Sequence, residues 1–123
     1  MSIPTHLQGK AAQAEHLAQS GQAGQASRLF LELAQEAPGH SRAPFFLAMQ
    51  AFGTGDLAQA RRWIEQALAG EPRSALIEAS AGQILRACGD KDAAIAAYER
   101  ALAMDADFLP ARLDAGHLLS EQG

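Results

Sequence analysis

Glycines stand 34 residues apart along this chain, at Gly21, Gly55, Gly89 and Gly123. A fixed period of this size is the mark of a supersecondary unit stacked on copies of itself, so it constrains the fold before any single segment is assigned. With the glycine as fifteenth position, the units run 7–40, 41–74 and 75–108, and a half unit runs from Leu109 to Gly123. Each glycine follows one amphipathic stretch and precedes another, where a helix end reverses through φ > 0. Asp56 and Asp90 come next and are expected to cap the following helices, Asp56 with Gln59 in a capping-box pattern. Each unit therefore reads helix, tight turn, helix.

The rest of the punctuation keeps step. Pro38 and Pro72 lie 34 apart at the ends of second helices, with Ala106 in that place in the third unit. Ser41, Ser74 and Asp107 are read as caps of the helices that follow, and Pro44 and Pro110 fall in first turns, where a missing N–H costs nothing. Small residues recur at position eight (Ala14, Ala48, Gly82, Gly116) and position twenty (Ala26, Ala60, Ala94), letting paired helices approach closely. Large knobs recur at position twenty-four (Phe30, Ile64, Tyr98). Position twenty-seven holds Leu33, Ala67 and Ala101, and position eleven holds Leu17, Ala51, Leu85 and Leu119. Large and small residues at fixed addresses predict interdigitated helices. The scarcity of β-branched residues, with no valine among 123 residues, points the same way.

The run Gly89-Asp90-Lys91-Asp92-Ala93-Ala94-Ile95-Ala96-Ala97-Tyr98-Glu99-Arg100-Ala101-Leu102-Ala103-Met104-Asp105 resembles the second helix of a tetratricopeptide repeat. Ala75–Phe108 is the best match, Ser41–Ser74 follows, and Leu7–His40 resembles the motif mainly in its second helix. The usual aromatic at position four is replaced by Lys10, Pro44, Glu78 and Arg112. The resemblance implies an all-α, right-handed superhelix of about seven antiparallel helices, three repeats plus a capping helix over 109–123, as one domain spanning 1–123. Gln13, where later units have Leu47, Ala81 and Ala115, reads as the polar outer face of the first helix.

Net charge and residue types narrow the function. At −4 with only Lys10 and Lys91 as lysines, the chain lacks the basic stripe of a nucleic-acid binder. No apolar run is long enough to span a bilayer, no leader pattern opens the chain, and Cys88 is alone, so a soluble cytoplasmic protein is expected. His6, His16, His40 and His117 are never paired at helical spacing, so no metal or other cofactor is expected. His40 is read as solvated in a turn, His16 and His117 as exposed helix residues, and Cys88 as filler at a helix end. Gly53-Thr54-Gly55 lacks the lysine and strand of a phosphate loop. Glu32, Glu36, Glu65, Glu71, Glu78, Glu99 and Asp105 are read as largely outward, Glu32 near Arg28. No catalytic constellation emerges, and a non-catalytic interaction scaffold is the expected class.

The resemblance also implies a concave groove lined by positions two, five, nine and twelve of each first helix, binding a protein or peptide partner. In the first unit these are Gln8, Ala11, Glu15 and Ala18; in the second, Arg42, Phe45, Met49 and Phe52. The third offers Leu76, Ala79, Gln83 and Arg86, and the half unit Pro110, Leu113, His117 and Ser120. Phe45, Met49 and Phe52 share one helical face apart from Leu47, Ala48 and Ala51 and read as an apolar contact stripe. The competing reading packs them into the next repeat's first helix. Some relatives grip a terminal carboxylate with basic residues and asparagine. Ala11, Glu15, Leu76 and Ser80 do not supply them here, so an apolar or amphipathic ligand is expected.

Two alternatives stand beside the scaffold. Bacterial chains resembling this one often join such repeats to a transferase, hydroxylase or signalling domain. A chain stopping on the glycine that should open another helix reads either as a protein closed by a half-repeat cap or, the favoured reading, as the front of a longer protein, hence a docking or oligomerisation module. The other alternative is self-association through the C-terminal helix, burying Leu109, Leu113 and Leu118 between copies.

Overall fold

The computed structural model describes residues 5–70 and 73–107. These form six α-helices and no strand: α1 (Thr5–Gln19), α2 (Ala23–Glu36), α3 (Arg42–Gly53), α4 (Leu57–Ala69), α5 (Ala75–Ala87) and α6 (Lys91–Met104). Pro72, Pro110, Gly116, Leu119, Gly123 and the capping helix expected over 109–123 lie outside the described residues.

The periodic glycines act as the spacing predicts. Gly21, Gly55 and Gly89 have φ of 80°, 83° and 87°, the only positive values among the described residues. At each, the glycine N–H donates to the carbonyl three residues back and the next residue's N–H to the carbonyl five back. These bonds are Gly21 to Ala18 with Gln22 to Leu17, Gly55 to Phe52 with Asp56 to Ala51, and Gly89 to Arg86 with Asp90 to Leu85. This is a Schellman closure, which satisfies the orphan carbonyls of the ending helix while reversing the chain. The Asp56 N–H is thus spent on Ala51, so the capping box forms only one way, with Asp56 Oδ1 accepting from Gln59 N–H at 3.2 Å. Asp90 caps α6 likewise through Ala93 N–H at 3.2 Å, and Ser74 caps α5 through Ile77 N–H at 3.1 Å.

Helices pack tightest within pairs α1–α2, α3–α4 and α5–α6. The small-residue addresses lie at these contacts: Ala14, Ala26, Ala48, Ala60 and Ala94 are fully buried. Gly82 shows why the address stays small. A Cβ built there would lie 2.6 Å from the ring of Tyr98, itself fully buried. Tyr98, the bulkiest of the three knobs that include Phe30 and Ile64, therefore faces a glycine where the first two units have alanine.

Two apolar clusters result. One gathers Leu7, Ala14, Ala26, Phe30, Leu33, Ala43 and Leu47. The other runs from Ala48, Ala60 and Ile64 through Ile84 to Tyr98 and Ala101. Half-buried Trp63 packs against both and makes them continuous. Between pairs, the Ser27 hydroxyl contacts Gln50 Oε1, and Gln50 Nε2 donates to the Ala23 carbonyl at 3.4 Å. Gly70 abuts the preceding turn so closely that a Cβ would sit 2.9 Å from the Gly39 carbonyl oxygen. Gln13 is exposed while Leu47 and Ala81 are buried, as the polar-face reading expects.

Four expectations are corrected. Ser41 does not cap α3: its φ of −79° and ψ of −22° are already helical and its side chain makes no capping bond. Three residues on, Pro44 has no N–H to give. His40 is buried, only 8% exposed, and its Nδ1 accepts the Arg42 N–H at 3.4 Å. Glu32 pairs with Lys10 at 3.7 Å rather than with Arg28, because Lys10 reaches across from α1 to both Glu32 and Glu36. Glu78 does not face outward. It is buried, and the Arg100 guanidinium donates to its carboxylate at 2.8 Å, so the usual aromatic's place is filled by an ion pair.

Candidate groove across the first helices

The first helices α1, α3 and α5 line a groove of about 490 Å³. α1 gives Glu15, Ala18 and Gln19; α3 gives Arg42, Phe45, Phe46 and Met49; α5 gives Leu76 and Ile77, with Ser74 at its cap. Phe30 of α2 reaches its floor and stacks on Phe46, ring centroids 4.2 Å apart at 25°. Only two lining residues are charged, Glu15 and Arg42, and they form an ion pair with each other at the lip. The rest of the wall is apolar or neutral.

Phe52, Gln83 and Arg86 line a separate hollow of about 540 Å³ with Ala87 and Tyr98. The expected site residues thus divide. Arg42, Phe45, Met49 and Leu76 come together in the groove, whereas Phe52, Gln83 and Arg86 gather about two helical turns further along α3 and α5. Of the first-unit positions, Glu15 and Ala18 line the groove, while Gln8 and Ala11 do not. Ala79 is buried in the core. Pro110, Leu113, His117 and Ser120 lie outside the described residues.

Phe45, Met49 and Phe52 are half-buried, each packed at its base against the second apolar cluster. The inner edge of the stripe is therefore core, and its outer edge faces a hollow. Leu76 is the most open apolar residue of the groove, at 53% exposure. Sequence reasoning missed Phe30, Phe46 and Ile77. The adjacent pair Phe45-Phe46 was the available signal, since two neighbouring aromatics on a helix point about 100° apart and can serve both the groove and the preceding helix pair.

Among the described residues, no helix is long and apolar enough to cross a membrane, and no group of three or more His, Cys, Asp or Glu side chains could hold a metal ion. Cys88 is half-buried at the end of α5, its Sγ 3.9 Å from the Leu57 carbonyl oxygen.

Solved structures share this architecture. The type III secretion chaperone SycD of Yersinia enterocolitica, in complex with a peptide of the translocator YopD, aligns with a TM-score of 0.83 at 15% identity, over 98% of this chain and 97% of that one. YrrB, described as a TPR protein with an unusual peptide-binding site, aligns at 0.81 and 16% identity over 89% of this chain and 57% of its own. MamA aligns at 0.79 and 19% identity over 89% and 64%. The chain thus spans less than two thirds of MamA and YrrB, and identities this low speak for the fold alone. No curated protein matches the chain. Two family models, each described as tetratricopeptide repeat, match residues 17–84 and 79–108. The chain belongs to the tetratricopeptide repeat family.

Proposed function

We propose that this chain is a non-catalytic interaction scaffold whose groove across α1, α3 and α5 takes an apolar or amphipathic segment of a protein partner. The observation that carries the reading is the groove itself: Phe45, Met49 and Leu76 converge from two helices on a hollow whose two charged residues neutralise each other at the lip. Apolar walls with few polar groups suit apolar side chains, and a flexible methionine beside aromatics adapts to their shape. YrrB and the SycD–YopD complex, as described, show that peptides are bound by proteins of this fold. The reading treats 1–123 as one domain and assigns it no nucleic-acid or membrane partner.

The test is selection of a random peptide library on the immobilised chain, followed by titration calorimetry of the recovered peptides. Phe45→Ala and Met49→Ala are expected to weaken binding about tenfold or more, as truncation of buried anchors does. Phe52→Ala, in the neighbouring hollow, is expected to do less. Affinity unchanged in Phe45→Ala and Met49→Ala, with helical content intact, would remove the groove from the account.

A further inference from the structure

The start of α3 differs in chemistry from the other capped starts. Shifting the cap Ser74 back by the 34-residue period lands on His40, not Ser41. Ser41 is already helical in backbone, which leaves His40 as the residue before the helix. His40 Nδ1 accepts the Arg42 N–H at 3.4 Å, the second amide of the helix in that register, where an N-cap side chain bonds. The ring is buried in a turn that Gly70 closes from the end of α4. Ser74, Asp56 and Asp90 present oxygen acceptors, but an imidazole offers Nδ1 as acceptor only while that nitrogen is unprotonated.

We propose that His40 is an acid-sensitive cap: protonation at Nδ1 removes the acceptor of the Arg42 amide and loosens the first turn of α3 together with the groove lip formed by Arg42 and Glu15. The proton goes from solvent to Nδ1, and the resulting imidazolium sits at the positive end of the helix dipole, where a cation is disfavoured. Among the described residues, the charged groups acting on the ring are Arg42 on α3, which opposes protonation, and Glu15 on α1, which favours it. Gly70, from the α4 side, brings backbone only. Burial, then Arg42, holds the imidazole below its ordinary value of 6.5, so the cap is intact at neutral pH. The inference concerns the helix start and stands whether or not a peptide occupies the groove.

The test is a proton–nitrogen NMR titration of the whole chain between about pH 8 and about pH 5, the range in which imidazoles change charge. The Arg42 amide is expected to shift in step with the His40 ring carbons, with a midpoint below 6.5. The Phe45 amide, which donates to the Ser41 carbonyl at 3.0 Å, is expected to lose exchange protection on the acid side. His40→Asn, which keeps a side-chain acceptor that does not titrate, and His40→Ser, the residue of the next unit, should each abolish the pH dependence at Phe45. Should either variant fail to fold, the wild-type titration decides by itself. An Arg42 amide that stays flat while His40 titrates would overturn the proposal. So would a ring that remains neutral until the chain unfolds, or the same acid loss of Phe45 protection in His40→Asn.

Discussion

The helix pairs α1–α2 and α5–α6 share a backbone plan and differ in what fills it. Both turn through a glycine at φ near 80–87° with the same two closing hydrogen bonds. Yet α1 buries only Leu7 and Ala14, while α5 buries eight residues from Ile77 to Leu85. The second helix of the last pair is capped by Asp90; that of the first begins at Gln22, whose side chain makes no cap bond. The period thus sets where the chain turns, and the side chain at each address sets how firmly the pair is held.

That contrast is open to experiment, most forcefully through the knobs. Tyr98→Ala and Phe30→Ala should each destabilise within the range of about 3–5 kcal/mol for truncating a large buried aromatic. Tyr98→Ala is expected to cost more, because Tyr98 is fully enclosed while Phe30 borders the groove. Urea midpoints at equal m-value would measure this, and a larger loss for Phe30→Ala would reverse the ranking of the two pairs.

Next in size is the close contact at Gly82. Gly82→Ala should cost about 1–3 kcal/mol from overpacking, less about 1 kcal/mol regained as helix propensity. Combining it with Tyr98→Ile, which recreates the Ala48 and Ile64 pairing of the second unit, should recover part of the loss. Strict additivity in that double-mutant cycle would mean that the two addresses are not coupled.

Caps should matter less. Asp90→Ala is expected to cost about 0.5–2 kcal/mol, and Gln22→Asp to gain a smaller amount by giving α2 the cap it lacks. Thermal melts that show no gain for Gln22→Asp would mean that the missing cap is not what distinguishes the first pair.

The subtlest handle is pH. His40 has its pKa lowered in the folded chain, so the unfolded chain binds the extra proton first. Its contribution to stability is full above about pH 6.5, the unfolded imidazole value, and is lost as pH falls from there through the lowered folded value. Wild type should therefore lose stability over this window relative to His40→Asn, measured by urea midpoints at matched ionic strength. Parallel pH profiles would remove His40 from the account.

Much of this molecule was legible because its rules are local and repeated. A glycine that must adopt φ > 0, an aspartate after it and a small residue opposite a large one each leave a mark at a fixed offset. The misreadings arose where one site had to satisfy two neighbours. Ser41 has the composition of a cap, but strict use of the period places the cap at His40, and Pro44 removes the amide a serine would have sought. Glu78 looks like a surface residue until Arg100, 22 residues away, comes to lie beside it. The groove was legible as a set of positions but not as a shape. That Phe45 and Met49 share one hollow while Phe52 belongs to another depends on how α3 and α5 sit against each other, which no spacing within one helix encodes.

The central claim is that the groove across the first helices, centred on α3, is the binding surface. Its most direct test is chemical-shift mapping of the isotope-labelled chain with a peptide from the library selection. The account predicts the largest shifts at Arg42, Phe45, Met49 and Leu76, with smaller ones at Phe52. Shifts concentrated on α2, α4 or α6, with the α3 signals unmoved, would contradict it.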